Sequence, residues 1–369
     1  MTGTERGEAG DESKAGDESK AGDESKAGGE FEAGGESKAG CEFEIAGKRI
    51  AVTGAGGFIG GALLRRLVAA GATVTGIDLD PGAAGRMAAA GADPVTADVT
   101  DPGAMREALG GCDALVHAAA IVSDAGSMAE HVRVNVRGTA TVLDEAAAVG
   151  VGRSVHVSSV VVFGFDDPSE QDETAHLRNC GVPYIDTKSA ADRLARARGA
   201  IVVRPGDVYG PGSVPWALRP LEMAKAGRLA VPGGEATMLP VYIDDLVEAL
   251  LVALRRGVPG ECYTAWNDSE HVTFEEFFGR LSRMAGSRPP RNLPRAAICV
   301  AGLAMEGVAR LRGRPPEMTR HSVVLVGRRG TASSAKLRAL GWSPEVGFEE
   351  GMERTEAWFR SEGLLPASR

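Results

Sequence analysis

A chain of 369 residues with 50 acidic and 41 basic side chains carries a net charge of −9, and that imbalance is concentrated at one end. Residues 1 to 44 hold 13 acidic and 5 basic side chains, so the remaining body is nearly neutral and lacks the basic excess that nucleic-acid binding wants. Five scattered cysteines without paired spacing read as reduced thiols rather than a disulfide framework or a zinc site. The N-terminus lacks the apolar core of a signal peptide, and no run of about 18 apolar residues is available to span a bilayer. The expected setting is cytoplasmic.

The acidic arm repeats a six-residue unit, Ala-Gly-Asp-Glu-Ser-Lys, from Ala9, decaying to Ala39-Gly-Cys-Glu-Phe-Glu. Only Phe31 and Phe43 offer apolar surface, too little to offset the entropy of ordering the backbone. Residues 1–44 are therefore expected to be disordered, with residues 45–369 forming the folded body. Within the body, residues 45–205 read mainly as a nucleotide-binding core. Residues 206–369 read mainly as a smaller C-terminal substrate lobe with elements returning to the core.

Lys48 to Thr53 predicts a short buried strand, followed by Gly54-Ala-Gly-Gly57-Phe58-Ile59-Gly60 and a helix from Gly61 to Ala70. A strand, a glycine turn and a helix N-terminus make a pyrophosphate site, because bare backbone approaches the anion and free N–H groups receive it. The next strand, Thr73 to Asp78, ends in an acid 24 residues beyond Gly54. A carboxylate there accepts the adenosine ribose hydroxyls and repels a 2′-phosphate, which favours NAD over NADP; Asp80 is the competing candidate. A third strand brings Asp98 and Val99 to the adenine end. A fourth, Ala114 to Ala120, ends in Ala118, Ala119 and Ala120, small enough for a cofactor to lie close, with His117 read as a packed strand residue. The fifth strand ends in Ser158 and Ser159, and the sixth is Ala200 to Arg204. Strands alternating with helical segments predict an α/β doubly wound parallel sheet, a Rossmann fold, with its ligand at the carboxyl ends of the strands.

Tyr184 and Lys188 stand four apart in Pro-Tyr-Ile-Asp-Thr-Lys, which puts both on one face of a helix. An ammonium beside a phenol favours the phenolate and is expected to lower a pKa that is about 10 in water. That would make Tyr184 a general acid/base near neutral pH.

With Thr53-Gly-Ala-Gly-Gly-Phe-Ile-Gly60, Asp98-Val, His117-Ala-Ala-Ala, Asn135-Val-Arg-Gly-Thr139, Val157-Ser-Ser-Val-Val-Val-Phe-Gly164, Tyr184-x-x-x-Lys188 and Arg204-Pro-Gly-Asp-Val-Tyr-Gly-Pro-Gly212 in this order, the chain resembles the extended short-chain dehydrogenases/reductases. The resemblance covers essentially everything after residue 45. It implies an NAD-dependent enzyme whose Asn–Ser–Tyr–Lys set is Asn135, Ser159, Tyr184 and Lys188, with Pro205 and Val208 as nicotinamide contacts. It implies further that Lys188 holds the nicotinamide ribose and that Asn135 fixes backbone or relays water. Family members carry Tyr where this chain has Phe163. They act on small-molecule substrates and are often dimers, so the resemblance leaves a homodimer open without fixing it.

Leu239-Pro-Val-Tyr-Ile-Asp-Asp-Leu resembles the family's strand-to-helix element near the site. In nucleotide-sugar epimerases of the family an arginine precedes that element and binds the diphosphate; here the position is Met238, with Arg228 and the arginines beyond 288 as substitutes. Ala296 to Leu311 reads as an apolar helix, either core or substrate wall or membrane-touching surface. The tail (Met318-Thr-Arg-His-Ser, Leu340-Gly-Trp-Ser-Pro and Glu349-Glu-Gly) is similar to the sterol and 3β-hydroxysteroid dehydrogenase branch. Three readings follow: a dehydrogenase on an apolar, steroid-like alcohol or ketone, a nucleotide-sugar epimerase or dehydratase, and a non-catalytic nucleotide-binding sensor. Removing residues 1–44 should leave turnover unchanged when truncated and full-length chains are assayed side by side. A dead truncation would overturn the reading of the arm.

Overall fold

The computed structural model describes residues 42–366, apart from 124, 125, 166, 168, 233–235, 295, 299, 301 and 305–325. Most of the repeat arm, the 318–322 segment and the second half of the apolar stretch 296–311 lie outside the described residues. Among the described residues of that stretch, Ile298 is buried while Val300 and Leu303 are exposed. No described helix is long and apolar enough to cross a membrane.

Seven strands form one parallel sheet: β1 (Arg49–Thr53), β2 (Thr73–Asp78), β3 (Asp93–Thr96), β4 (Ala114–His117), β5 (Arg153–Val157), β6 (Ile201–Pro205) and β7 (Cys262–Ala265). Their spatial order is 7-6-5-4-1-2-3. The chain builds outward from β1 to β3, then crosses back to lay β4 against the other side of β1. That reversal opens a crevice at the carboxyl ends of β1 and β4, where ligands bind in open parallel sheets. β7 comes from the second half of the chain and closes the sheet beside β6.

Strand alternation divides the core between two faces. Ile50, Val52, Val116 and Val203 pack with Leu63, Leu64 and Leu67 of the first helix, Phe58–Ala69, and with the helix Ile243–Arg256. Ala51, Leu115 and Val202 pack on the opposite face with Met105, Leu109, Val142, Leu143 and Ala195. The helix Ile243–Arg256 repeats apolar residues at helical spacing, burying Leu246, Leu250, Leu251 and Leu254, with Asp244 in its first turn and Arg255 and Arg256 in its last. Each such leucine is worth about 1.5–3 kcal/mol. The half-exposed Arg66–Glu248 pair between the two helices, 2.7 Å apart, belongs to a class worth about 1 kcal/mol or less. Packing, not charge, fixes these layers.

The tail is pinned by one buried carboxylate. Asp245 accepts the N–H groups of Glu345 and Val346 at 2.9 and 3.1 Å, and its carbonyl accepts the Trp342 indole N–H at 3.0 Å.

Two of the three buried histidines among the described residues lie in the sheet. His117 of β4 and His156 of β5 stack with ring centroids 5.3 Å apart. His117 is bracketed by the Thr53 hydroxyl at 2.7 Å and the Thr139 hydroxyl at 3.0 Å. Because the Thr139 hydroxyl donates to the Asn135 carbonyl at 2.6 Å, the network assigns the ring proton to Nε2. Neither ring nitrogen of His156 has a partner among the described residues. Burial, helped by the Lys188 charge, pushes His117 down to about 3 and His156 well below its ordinary value. Both rings are therefore neutral when folded but bind a proton in the unfolded chain once pH falls below about 6.5. The unfolded state then holds more protons, and stability declines as pH drops. The urea midpoint should be lower at pH 5.5 than at pH 7.5, with a smaller difference in His156→Leu; equal differences in the two proteins would remove His156 from this account.

Candidate functional site

The glycine turn after β1 is shaped by close approach. Gly54 has φ +68°, and a Cβ on it would lie 2.9 Å from the Ala119 backbone. A Cβ on Gly60 would meet the Gly54 carbonyl oxygen at 2.1 Å, so the helix starts directly on the turn. Gly57 caps the first helix without a side-chain partner, which leaves the backbone N–H groups of Phe58 and Ile59 at the mouth free of side-chain caps. Ala118, Ala119 and Ala120 continue β4 alongside. A bare cradle beside a helix N-terminus fits the pyrophosphate of a dinucleotide.

Asp78, at the end of β2, is held toward this turn. It accepts the Gly56 N–H at 2.9 Å and the Asp80 N–H at 3.0 Å. Asp80 instead turns its carboxylate to the Gly82 N–H at 2.8 Å, capping the following turn. Of the two competing acids, Asp78 is the one on the cradle. Asp98 accepts from the Thr100 backbone and hydroxyl and from Arg133 at 3.1 Å. Burial opposes its ionisation, but those donors win and hold it below the usual carboxylate range. Val99 is buried beneath Gly138, where a Cβ would lie 2.9 Å from its methyl group.

Asn135 sits in a wide π-helical turn, Val132–Gly138. Its Oδ1 accepts the Ile121 N–H at 2.8 Å, while Nδ2 donates to the Ile121 carbonyl at 3.2 Å and to Thr187 Oγ1 at 3.1 Å. The side chain clamps the strand end after Ala120 to the helix Pro183–Ala197, a backbone-fixing arrangement.

The helix Pro183–Ala197 begins with proline at its first turn, and Asp186 accepts the N–H groups of Cys180 and Gly181 ahead of it. Its inward face carries Tyr184, Lys188 and Asp192. Ser159, just past β5, caps the next turn through Val161 N–H at 3.3 Å, and its hydroxyl lies near enough to Tyr184 to favour the phenolate. Lys188 donates to the Val157 carbonyl at 2.9 Å.

The expected depression of the tyrosine pKa is not what this pair shows. Tyr184 keeps some solvent contact as a residue, but its hydroxyl is enclosed, and burial pushes it up to about 12. Ser159 favours the phenolate and offsets part of that rise, while the Asp207 charge adds to it. The Lys188 ammonium is directed at Val157 instead, and burial pushes it down to about 8 against the favourable charge of Asp192. The free chain therefore presents a protonated phenol beside a lysine still charged at neutral pH.

Pro205 ends β6, and Val208 lies in the short strand Asp207–Tyr209, which pairs in parallel with Pro240–Tyr242. Two buried ion pairs, four charged residues, were not foreseen. Asp192 receives the Ser158 hydroxyl at 2.7 Å and a bidentate Arg204 at 2.9 Å on each oxygen. Arg204 lies over the Phe163 ring at 5.2 Å, so an aromatic ring at this position serves packing rather than proton transfer. Asp207 accepts the Leu239 N–H at 3.0 Å and the Arg328 guanidinium at 2.8 Å. Asp192 was legible as the residue one turn beyond Lys188; the pairing of Asp207 with an arginine more than a hundred positions away was not. Met238 is fully buried and pairs with Val272.

Comparison with known proteins places this geometry among enzymes. The NAD dependent epimerase/dehydratase family matches residues 50–267. A 4-hydroxy-2-methyl-3-oxo-4-farnesyl-3,4-dihydroquinoline-1-oxide ketoreductase of Stigmatella aurantiaca is 30% identical over 332 residues, covering 86% of this chain and 99% of the relative. Sterol demethylase protein B of Methylococcus capsulatus is 29% identical, over 85% of this chain and 99% of its own length. Among solved structures, a dTDP-glucose 4,6-dehydratase of Streptomyces venezuelae with NAD and TYD bound superposes with a TM-score of 0.69 at 26% identity, over 86% of this chain and 99% of that one. From the placement of Asp78, Asp78→Ala should reduce the preference for NAD over NADP by roughly tenfold, the scale of one lost polar recognition contact. The ratio of the two dissociation constants checks it, and an unchanged ratio would assign cofactor choice elsewhere.

Proposed function

The chain belongs to the NAD dependent epimerase/dehydratase family, and on that premise we propose that it transfers a hydride between nicotinamide and an apolar secondary alcohol or ketone. In this reading Tyr184 is the acid/base. The observation that carries it is the placement of Ser159, Tyr184 and Lys188 at the carboxyl end of β5, on the same edge of the sheet as the glycine cradle after β1.

NAD, when bound, supplies the hydride acceptor or donor at the nicotinamide ring. The residues that would hold it are Gly54, Gly57 and Gly60 with the N–H groups of Phe58 and Ile59, then Asp78, Asp98 and Val99. Ala118 to Ala120, Lys188, Pro205 and Val208 complete the set. The chain's own residues manage the proton. In reduction, the protonated Tyr184 hydroxyl gives its proton to the carbonyl oxygen as that oxygen gains negative charge, so ketone, hydride and proton balance to alcohol. Ser159 hydrogen-bonds the same oxygen and orients it. Lys188 keeps a positive charge at the end of β5, held on the Val157 carbonyl. In oxidation the same groups run in reverse.

Two observations support an apolar substrate. Met238, buried at the position of the diphosphate arginine in nucleotide-sugar enzymes, offers no charge, and Arg328 is committed to Asp207. The farnesyl-quinoline ketoreductase and the sterol demethylase protein both align over nearly their full lengths. The likeness to a dTDP-glucose dehydratase favours the alternative, in which a nucleotide sugar is oxidised and re-reduced within one turnover. Absorbance at 340 nm separates them: net NADH formed from a 3β-hydroxysteroid supports the first, and conversion of dTDP-glucose without net NADH sinks it.

Tyr184→Phe should lower kcat by roughly the 10²–10⁴-fold that general acid–base catalysis contributes, with NAD affinity within a few-fold of the parent. Lost NAD binding would instead make the tyrosine structural. Because Lys188 is charged below about 8, ketone reduction should fall as pH rises through that value.

A further inference from the structure

Behind the Ser159–Tyr184–Lys188 site lies a second layer of buried polar groups that the hydride-transfer reading does not use. Asp192, Arg204 and Ser158 are all essentially inaccessible to water. A carboxylate in such a place survives only if its lone pairs are filled. Those of Asp192 are: Arg204 donates to both oxygens at 2.9 Å, and the Ser158 hydroxyl donates to Oδ2 at 2.7 Å.

The position of Ser158 gives this layer its meaning. Val157, on one side of it, supplies the carbonyl that takes the Lys188 ammonium at 2.9 Å. Ser159, on the other side, supplies the hydroxyl that meets Tyr184. One hydrogen bond to the middle residue therefore fixes both neighbours. Asp192 also stands one helical turn beyond Lys188 on the same face, as Lys188 stands one turn beyond Tyr184. β6 delivers Arg204 from the far side, so the carboxylate ties the helix Pro183–Ala197, the end of β5 and β6 together at one point.

We propose that Asp192 is the positioning residue of this site: its buried carboxylate holds the strand end Val157–Ser159 through Ser158, and with it the Val157 carbonyl that receives Lys188. The proposal rests on the hydride-transfer reading above. Asp192 touches no reacting atom; it acts through Ser158 and Lys188. The other ionisable groups facing Lys188 are His117 and His156 from β4 and β5, both neutral inside the protein, and Tyr184 on its own helix. Arg204 faces Asp192 rather than the lysine. Among the described residues, Asp192 is thus the negative group that favours the charged lysine, against burial.

The test reads NADH binding as well as rate. Fluorescence titration of NADH against pH should show, in the parent protein, affinity declining as pH rises through about 8, where Lys188 loses its proton. In Asp192→Asn the midpoint should move down by about one pH unit, the scale set by removing the opposite charge that favours the ammonium. Asp192→Glu should restore the parent midpoint while hydride transfer stays slow, because the longer arm displaces Ser158. A folded Asp192→Asn protein with an unchanged midpoint overturns the proposal. Should that variant not fold, with Arg204 left as an uncompensated buried charge, Ser158→Ala decides. It removes one hydrogen bond and leaves both charges in place. Single-turnover hydride transfer slowed about tenfold at unchanged NADH affinity, equivalent to the loss of one hydrogen bond to a charged group, supports the proposal; an unchanged rate overturns it. A Tyr184→Phe enzyme that still turns over would overturn the underlying reading instead, and the NADH midpoints would remain interpretable without it.

Discussion

A lysine ammonium can be held inside a protein only where its charge is answered, and the burial of Lys188 is the constraint around which this site is arranged. The Val157 carbonyl takes its proton at the end of β5. The two imidazoles nearest it stay neutral, since a second positive charge there would add repulsion to desolvation. Asp192 supplies the opposing charge, and Arg204 answers Asp192 in turn. Removing any member leaves its neighbour stranded, which for a buried ion pair costs about 3–5 kcal/mol. The sheet supplies the geometry for this chain of dependencies: β5 and β6 run in register, so the Val157 carbonyl and the Arg204 side chain emerge at adjacent levels.

The same carboxyl edge carries the cofactor cradle, and there the governing term is steric. A side chain at Gly54 or Gly60 would collide with backbone. The turn can therefore be glycine at those two positions and almost nothing else, whereas Gly57 owes its place to the bare helix N-terminus. Asp78, ordered by two backbone donors, gives the cradle a fixed negative end. In the proposed reading, charge along the crevice is negative at Asp78 for the adenosine end and positive at Lys188, with a neutralised pair at Asp207–Arg328. That last pair is neutral as a unit. Together with the buried Met238, it is the physical basis for preferring an apolar substrate to a nucleotide sugar.

The pKa of Tyr184 marks where a pairwise reading of the sequence fell short. Two residues at helical spacing imply a direct interaction between phenol and ammonium. The folded chain adds two things that spacing cannot contain: enclosure of the hydroxyl, which raises its pKa, and a backbone acceptor that draws the ammonium away. Local geometry was right, and the electrostatics belonged to the surroundings.

What the sequence determined by itself was whatever depends on short stretches of chain. The alternation of strands and helices, the glycine turn, the acid closing β2, the two serines closing β5 and the Tyr184–Lys188 face all follow from local spacing, and all converge on one edge of the sheet. Asp192 was legible by the same rule, one turn further along. The tertiary structure alone decided which distant groups complete the site. It brought the glycine turn to the Asp78 carboxylate and left Asp80 to cap the following turn. It placed Asn135 against Ile121 and Thr187, Arg204 against Asp192, and Arg328 against Asp207. Those contacts join residues separated by a dozen to more than a hundred positions. Their physical cause is the packing of layers and the need of each buried charge for a partner, neither of which leaves a period or a motif in the chain.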